Sequence, residues 1–293
     1  MRRAKRIGIL WCCMGLLFMP THCAHAQLLF SFSQRYRPSE AALVNPYMGN
    51  LAWANDLSAH EQPFTLVYAD LTWKEFEPKE GFYDFDTFEK NNNLAMWRAQ
   101  GKHVVFRFVL DMPGTSAHRD IPDWLYRATG KDGKKYHISY GKGYSPNYEN
   151  PLLIARHREA IAALGARYGD DPLFAFVELG SLGHWGEWHT HPKLPPMPLE
   201  DIRDAYIAPY VDAFPAAHLL FRRPFRMAET LRAGLFNDTT GALESTMTWL
   251  GWIEAGGAYN ETGEPDALVP MPDAWKRAPI GGELATSMTT SQL

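Results

Sequence analysis

Apolar strand-like runs and helix-like runs alternate along most of the chain, and this alternation constrains the fold more than any other feature. Alternating β and α segments predict parallel βα units, because parallel strands need a crossover connection that is usually a helix. Helices are predicted over residues 85–100, 154–168 and 199–214. Strands are predicted over residues 64–69, 103–110, 173–179, 218–222, 234–237 and 278–282.

The predicted fold class is α/β, a (β/α)8 TIM-type barrel. Residues 27–293 have a length that suits one such barrel, and no long linker divides them. When the strand at 64–69 is counted as the second, the strand at 278–282 is the seventh. The sequence ends soon after it, so we expect a barrel that is truncated after its seventh strand.

The N-terminus has the three parts of a secretory signal. Four basic residues among the first six positions precede an apolar run over 7–19, and Ala24-His25-Ala26 supplies small residues before Gln27. This pattern predicts a signal peptide over residues 1–26 and a secreted or periplasmic location. The apolar run is short for a permanent anchor, so no membrane span is expected after cleavage. An uncleaved anchor and a lipid attached to Cys23 are the alternatives.

Cysteine content and charge exclude several function classes. All three cysteines lie within residues 1–26, so the exported part would have no thiol for nucleophilic catalysis, zinc binding or iron–sulfur chemistry. The formal net charge is −4 and no basic patch stands out, so nucleic acid is not an expected partner. We recognise no cofactor-binding motif and predict no cofactor. Ten tryptophans suit a protein whose partner is a carbohydrate.

The first informative motif follows the second predicted strand. Trp73 precedes Glu77-Pro78, a turn at Lys79-Glu80-Gly81, and a Phe-Tyr-Asp-Phe run that ends at Phe85. The motif resembles one in the large clan of retaining glycoside hydrolases with (β/α)8 barrels, which includes β-galactosidases and cellulases. A loop that only anchors the following helix is the structural alternative for most of these residues.

The second motif runs from the fourth predicted strand into a glycine-rich loop. Glu178 lies at the end of the strand, and Glu187 lies in the loop between Trp185 and Trp188. The carboxyl ends of barrel strands build the active site, and flanking indoles would desolvate a carboxyl and raise its pKa, as a general acid requires. Either glutamate could instead be a structural residue held by backbone amides.

The third motif, Gly281-Gly282-Glu283, comes with the seventh predicted strand. In the clan that the chain resembles, the acid/base follows the fourth strand and the nucleophile follows the seventh. The resemblance therefore implies Glu187 or Glu178 as the acid/base and Glu283 as the nucleophile. Two carboxyls are what glycosidic cleavage needs.

The pattern also resembles a family of exported bacterial proteins known only as a domain of unknown function. The shared features are Asn45-Pro46, the Trp-Gly-Glu-Trp-His segment at 185–189 and the Gly-Gly-Glu segment at 281–283. Family members continue through an eighth strand. The resemblance covers residues 45–283 and implies a barrel of glycosidase ancestry.

Further polar and aromatic residues are predicted to bind the carbohydrate. They lie at predicted strand ends or in the loop after the fourth strand, except for Arg107, which lies inside the third. They are Asp70, Trp73, Arg107, Asp111, His184, Trp185, Trp188, His189, Asn237 and Asp238. A salt bridge deeper in the barrel is the alternative for Arg107.

Two other functions are open. His184, Glu187, His189 and His191 have ligand types that suit a metal-dependent hydrolase, although their spacing is not that of the helical two-histidine zinc motif. A degenerate barrel that binds carbohydrate without cleaving it is the other alternative, because fold does not determine function. The favoured prediction is an exported glycoside hydrolase without a metal.

Overall fold

The computed structural model describes residues 44–58 and 63–285, together with Arg35. All the helices and strands below belong to one compact unit, Ala42–Leu293. The predicted signal peptide and its three cysteines lie outside the described residues.

Seven parallel strands form a single curled sheet. Strands that are neighbours in the sheet are also successive strands of that sheet along the chain. The strands are β1 Ala52–Trp53, β2 Leu66–Thr72, β3 His103–Val109, β4 Phe174–Glu178, β5 His218–Phe221, β6 Gly234–Thr240 and β7 Ile280–Leu284.

The strand order identifies the type of winding. In a doubly wound sheet the strand order reverses, whereas here β1 to β7 follow one another in a single direction. Right-handed crossovers that always advance in one direction put every helix on the same face, and the sheet curls away from them. The predicted α/β fold of the (β/α) barrel type is confirmed, as is the count that makes the strand carrying Glu283 the seventh.

The helices lie between the strands. Their bounds are α1 Trp73–Phe76, α2 Phe85–Asn91, α3 Leu94–Ala99, α4 Asp123–Ala128, α5 Pro151–Tyr168, α6 Glu200–Ala213, α7 Arg226–Thr230 and α8 Leu243–Ala255. None of the helices in the described ranges is long and apolar enough to cross a membrane.

The structure divides the first predicted helix into two shorter helices, α2 and α3. The prediction of a continuous helix over 85–100 is wrong, because Asn93 adopts a left-handed conformation with φ 53° between α2 and α3. The side-chain amide of Asn93 donates to the Ala54 carbonyl, which also accepts from the Trp97 indole. The break between α2 and α3 therefore coincides with a contact to the segment after β1. The local sequence pattern does not predict such a long-range contact.

Two antiparallel hairpins, which the alternating pattern does not predict, extend from the loops. Gly133–Ile138 pairs with Gly141–Pro146 between α4 and α5. Gly257–Tyr259 pairs with Glu264–Leu268 after α8. Both flank the loop that follows β4, because Tyr140 of the first hairpin packs against Trp185 and the Tyr259 hydroxyl of the second donates to the Trp188 carbonyl.

Strand alternation positions the polar residues of the barrel interior. A small apolar cluster includes Val105, Phe176, Leu220 and Phe236, from four successive strands. Successive side chains alternate between the two faces of a strand, so the residue two positions further along points the same way. The residues two positions after these four apolar residues form one polar layer next to the apolar cluster. They are Arg107, Glu178, Arg222 and Asp238.

Candidate active site

Arg107 is the centre of the polar layer. Its guanidinium is 3% exposed and donates to Glu178 Oε2 from Nε at 2.9 Å and from Nη2 at 2.5 Å. Nη2 also donates to Glu283 Oε1 at the end of β7, and Nη1 donates to the Trp185 carbonyl at 3.2 Å. One side chain therefore ties together β3, β4, β7 and the loop that carries Glu187.

The two carboxylates bound to Arg107 are close to each other. Glu178 Oε2 and Glu283 Oε1 share the nitrogen Nη2, so they can be no further apart than two hydrogen bonds, about 6 Å. They differ in access to solvent, because the Glu178 side chain is 4% exposed and the Glu283 side chain 38%. Glu178 lies beside Arg107 in the register of β3 and β4 and is closed to solvent, whereas Glu283 lies on β7 at the edge of the sheet and is partly exposed.

Burial raises the pKa of Glu178, and the neighbouring charge of Glu283 raises it further, against the opposing charge of Arg107. Asp70 lies beside Arg107 in the register of β2 and β3. Burial raises its pKa to about 6, again against the charge of Arg107. The layer thus confines several acidic groups around one cation.

The loop after β4 holds Glu187 in an unusual backbone. Trp185 and Trp188 have φ values of 53° and 59°, and Gly186 between Trp185 and Glu187 has φ 74°. Left-handed conformations cost energy for residues other than glycine, and they persist only where the surroundings impose them. Here the Trp185 N–H donates to the Asp111 carbonyl at 2.7 Å, and the Trp188 N–H donates to the Leu182 carbonyl at 3.0 Å.

These backbone hydrogen bonds direct the Trp188 side chain into the core and leave the Trp185 side chain partly exposed. Trp188 is 2% exposed and its indole donates to the Leu179 carbonyl at 2.6 Å, whereas Trp185 is partly exposed. Gly186 passes so close to the segment just after β4 that a Cβ on it would lie 2.1 Å from the Gly180 carbonyl oxygen. Only glycine fits there, and its neighbour Glu187 faces the open end of the barrel.

Among the predicted catalytic glutamates, Glu187 has the environment that best suits a proton donor. Its side chain is 14% exposed. Burial raises its pKa to about 8, and the charges of Asp238 and Glu283 add to this effect, against the charges of Arg107 and Arg222. At neutral pH the carboxyl is therefore mostly protonated and can donate a proton.

Asp238 and His189 lie beside Glu187. His189 Nδ1 is 3.7 Å from Glu187 Oε2, and Asp238 accepts a hydrogen bond from Arg222. Burial and the charge of Arg223 lower the pKa of His189 to about 4, so its imidazole is neutral. Burial would raise the pKa of Asp238, but its hydrogen bond with Arg222 and the nearby positive charges hold that pKa below its usual value.

These residues line an open cleft of about 890 Å³, which is large enough for a sugar unit. One side is the loop after β4, and the opposite side is formed by the end of β6 and by α8. The lining of the cleft includes Tyr140, Trp185, Glu187, His189, Arg222, Arg223, Asp238, Trp252 and Glu261.

Several residues predicted to bind carbohydrate are buried instead. Trp73 is 0% exposed and donates its indole N–H to Glu77 at 2.9 Å, so Trp73 and Trp188 offer no ring face to a sugar. Their burial does not support the prediction that these two tryptophans bind the carbohydrate.

Three polar residues of the predicted set are also buried. Asp111 and His184 are both 0% exposed, with Asp111 Oδ2 3.0 Å from His184 Nδ1, and Asp111 accepts from the Tyr136 hydroxyl at 2.5 Å. Asn237 is 2% exposed and accepts from the Thr239 N–H at 3.4 Å. We correct their predicted contact with the ligand to support of the loops around it.

The four residues considered as metal ligands under the alternative function come together only in part. His184 packs against Asp111, and the ligand atoms that come within 4.8 Å of one another belong to Glu187, His189 and Asp238. Asp238 already binds Arg222, and the charge of Arg223 also acts on it. Two cations beside the three ligands disfavour a third positive charge there.

Some residues of the cleft were not foreseen. Tyr140, at the tip of the first hairpin, packs against Trp185 with ring centroids 5.5 Å apart and against His189 at 5.8 Å. Trp252 of α8 lies beneath Arg222 and Arg223, at 5.6 and 4.4 Å from its ring to the two guanidinium carbons. A hairpin signal around Gly141 could have located Tyr140, but Trp252 sits on an ordinary helical pattern.

Solved structures that the chain resembles include glycoside hydrolases. Endo-glycoceramidase II from Rhodococcus sp. is 12% identical with a TM-score of 0.42, over 76% of this chain and 65% of that one. Xylanase XynB from Paenibacillus barcinonensis is 12% identical with a TM-score of 0.43, over 80% and 82%. The β-galactosidase from a Rahnella species is 11% identical with a TM-score of 0.39, over 62% and 32%.

No family model and no curated protein matches the sequence. The chain spans just under two thirds of the length of the endo-glycoceramidase and about a third of the length of the β-galactosidase. The assignment to the (β/α) barrel type follows from the strand order itself. Glycoside hydrolases are among the solved proteins to which this barrel-type chain is similar.

Proposed function

We propose that the protein is a glycoside hydrolase that uses Glu187 as its general acid and Glu283 as its second carboxylate. The observation that carries this proposal is the environment of Glu187, a carboxyl with a pKa of about 8 that faces an open cleft. Glycosidic cleavage needs one carboxyl that is protonated and one that is ionised, and different surroundings for two carboxyls are the usual way to achieve this.

Glu283 suits the second role. It is the more exposed of the two carboxylates bound to Arg107, and the same guanidinium holds the backbone at Trp185, two residues before Glu187. Glu178 is closed off beside Arg107, so we assign it to positioning that arginine rather than to proton transfer.

In the proposed reaction Glu187 protonates the glycosidic oxygen while Glu283 attacks the anomeric carbon. The bond to the leaving group breaks and a glycosyl ester forms on Glu283. Glu187, now ionised, then takes a proton from water, which attacks the ester and releases the sugar. The partly exposed ring of Trp185 is available to stack on a sugar face at the cleft.

The test is hydrolysis of a panel of aryl glycosides by the wild type, Glu187→Gln and Glu283→Gln. A good leaving group such as dinitrophenolate needs no protonation, so Glu187→Gln should keep the first step with dinitrophenyl glycosides, seen as a burst of dinitrophenolate. It should turn over slowly afterwards, because it lacks the base for the second step, and it should lose cleavage of poorer leaving groups. Glu283→Gln should lose both, because it lacks the attacking carboxylate.

The pH dependence gives a second readout. Cleavage of glycosides with poor leaving groups should fall as pH rises through about 8, since the raised pKa of Glu187 makes it a proton donor only below that value. In Glu187→Gln the burst with dinitrophenyl glycosides should show no such fall, because that step uses no proton donor. A folded wild-type protein that cleaves none of the panel, or equal activity in all three proteins, contradicts the proposal.

A further inference from the structure

Arg223 lacks the partner that a buried arginine usually has. It follows Arg222 at the end of β5, and both residues line the cleft although they are only 6% and 5% exposed. Arg222 donates to Asp238, whereas within the described part of the chain the Arg223 guanidinium has no hydrogen bond and no carboxylate within 4 Å. Its Nη1, and the Nε and Nη1 of Arg222, are buried without an acceptor.

The acidic groups near Arg223 do not compensate for this. Asp238 is bound to Arg222, and Glu261 Oε2 accepts from the Thr190 N–H at 3.1 Å. The pKa of Arg223 is lowered to about 10 by burial and by the charge of Arg222, which shows how crowded the two cations are. A buried guanidinium without hydrogen-bond acceptors is costly, so such a group is retained at a site where a ligand supplies them.

The surroundings hold Arg223 ready for a ligand. The Trp252 ring lies 4.4 Å from the Arg223 guanidinium carbon and 5.6 Å from that of Arg222. A ring face against a planar guanidinium orients it and leaves its edge nitrogens free to donate. That edge is the fork that binds a carboxylate or a sulfate through two parallel hydrogen bonds.

The position of Arg223 relative to Glu187 defines which part of a substrate would meet it. Asp238 has an oxygen within 4.8 Å of a Glu187 oxygen, and Asp238 binds Arg222, the neighbour of Arg223. Arg223 lines the same cleft as Glu187, and its charge acts on His189 and Asp238, the two residues beside the carboxyl that would protonate the glycosidic oxygen. A negative group on one of the sugars flanking that oxygen could reach Arg223.

We propose that the cleft binds an acidic sugar, in which a carboxylate or sulfate group next to the cleaved bond pairs with Arg223. This proposal rests on the proposed glycoside hydrolase function and names its substrate class. The acidic group would supply the acceptors that Arg223 lacks and would offset the positive charge of the arginine pair.

The test is equilibrium binding by calorimetry to the full chain, which does not require turnover. The probes are matched pairs that differ only in charge: methyl glucuronide with methyl glucoside, methyl galacturonide with methyl galactoside, and glucose 6-sulfate with glucose. At least one acidic probe should bind about tenfold or more tightly than its neutral partner, as a charge-assisted hydrogen bond implies. The pair that shows the preference distinguishes a carboxylate from a sulfate.

Three variants connect that preference to Arg223. Arg223→Gln should make the two members of the pair bind equally, and Arg223→Lys should keep only part of the preference because it retains the charge without the fork. Arg98→Gln is the control, since Arg98 of α3 pairs with Asp171, which follows α5, and neither residue lines the cleft. Thermal unfolding of each variant verifies that it is folded.

Each outcome decides the question. Equal affinity within every pair, a preference that survives in Arg223→Gln, or no saturable binding of any acidic probe in the millimolar range overturns the acidic-sugar proposal. Cleavage of neutral aryl glycosides without an acidic preference would overturn it and leave the glycosidase function standing. Selective binding of an acidic probe by a protein that cleaves no glycoside would support the acidic site and contradict the glycosidase function.

Discussion

Arg107 and Arg223 are two arginines of the barrel end with nearly the same burial and opposite surroundings. Arg107 donates to Glu178, to Glu283 and to the Trp185 carbonyl, so its guanidinium is well supplied with acceptors. Arg223 has a tryptophan ring against its face and no acceptor among the residues described. A saturated guanidinium fixes the parts of a site, whereas an unsaturated one is available to bind something else.

The largest expected effect comes from Arg107→Met. It leaves Glu178 buried without its cation, and breaking a buried pair from one side typically costs about 3–5 kcal/mol of unfolding free energy. Urea denaturation at pH 7 measures the loss. The loss should shrink at low pH, because a protonated Glu178 no longer needs a counter-charge.

The control for Arg107→Met is the double variant Arg107→Met/Glu178→Leu. It removes both charges, so most of the lost stability should return. If the single and double variants are equally destabilised, the contribution of Arg107 is packing rather than compensation of the Glu178 charge.

The next effect tests whether the loop bound by Arg107 is as constrained as its contacts imply. Gly186→Ala would put a Cβ 2.1 Å from the Gly180 carbonyl oxygen at a φ of 74°, so we expect a loss of about 3 kcal/mol. Gly251→Ala in α8, on the opposite side of the cleft, meets nothing within 4 Å and should gain about 1 kcal/mol from helix propensity. Similar unfolding midpoints for the two variants would contradict a constrained loop.

Arg223→Met sharpens the comparison most directly, because it is the same substitution as Arg107→Met at similar burial. Removing an unpaired buried cation should leave the unfolding free energy unchanged or raise it by about 1 kcal/mol. Thermal and urea unfolding without ligand measure this. A loss as large as that of Arg107→Met would mean that Arg223 has a structural partner after all.

The smallest effect is expected from the charge of Asp238. This residue accepts from Arg222, the neighbour of Arg223, and its charge acts on Glu187, whose loop Arg107 holds. Asp238→Asn removes a negative charge that helps to raise the pKa of Glu187, and it frees Arg222 to act on Glu187. Both changes lower that pKa below about 8, so the basic limb of the pH–activity profile should move to lower pH. Carbon NMR of the Glu187 carboxyl gives the same quantity without turnover, and an unchanged titration would contradict the assignment.

Prediction from sequence succeeded where a regular period determines side-chain direction. The third to seventh strands begin within two residues of their predicted starts, and the polar layer follows from alternation along them. The first strand, Ala52–Trp53, was too short to show a pattern. The hairpins went unpredicted because they interrupt the βα alternation instead of continuing it.

The sequence also located the carboxyls but could not rank them. Glu178 and Glu187 are nine positions apart, and both follow plausible patterns. Their difference lies in Arg107, which binds Glu178 and holds the loop of Glu187 by its backbone. That distinction depends on contacts between β3 and β4 that no local pattern encodes.

The sequence alone predicts the succession of parallel strands. It therefore also predicts that Arg107, Glu187 and Glu283 lie at the same edge of the sheet. Periodicity suffices for this, because the ends of parallel strands must meet at one edge. Only the tertiary fold brings Trp185 to the cleft while it buries Trp188, and only it leaves Arg223 without an acceptor among the described residues. In the loop after β4 the backbone angles are imposed by hydrogen bonds to distant residues such as Asp111, so side-chain direction there is a property of the whole fold.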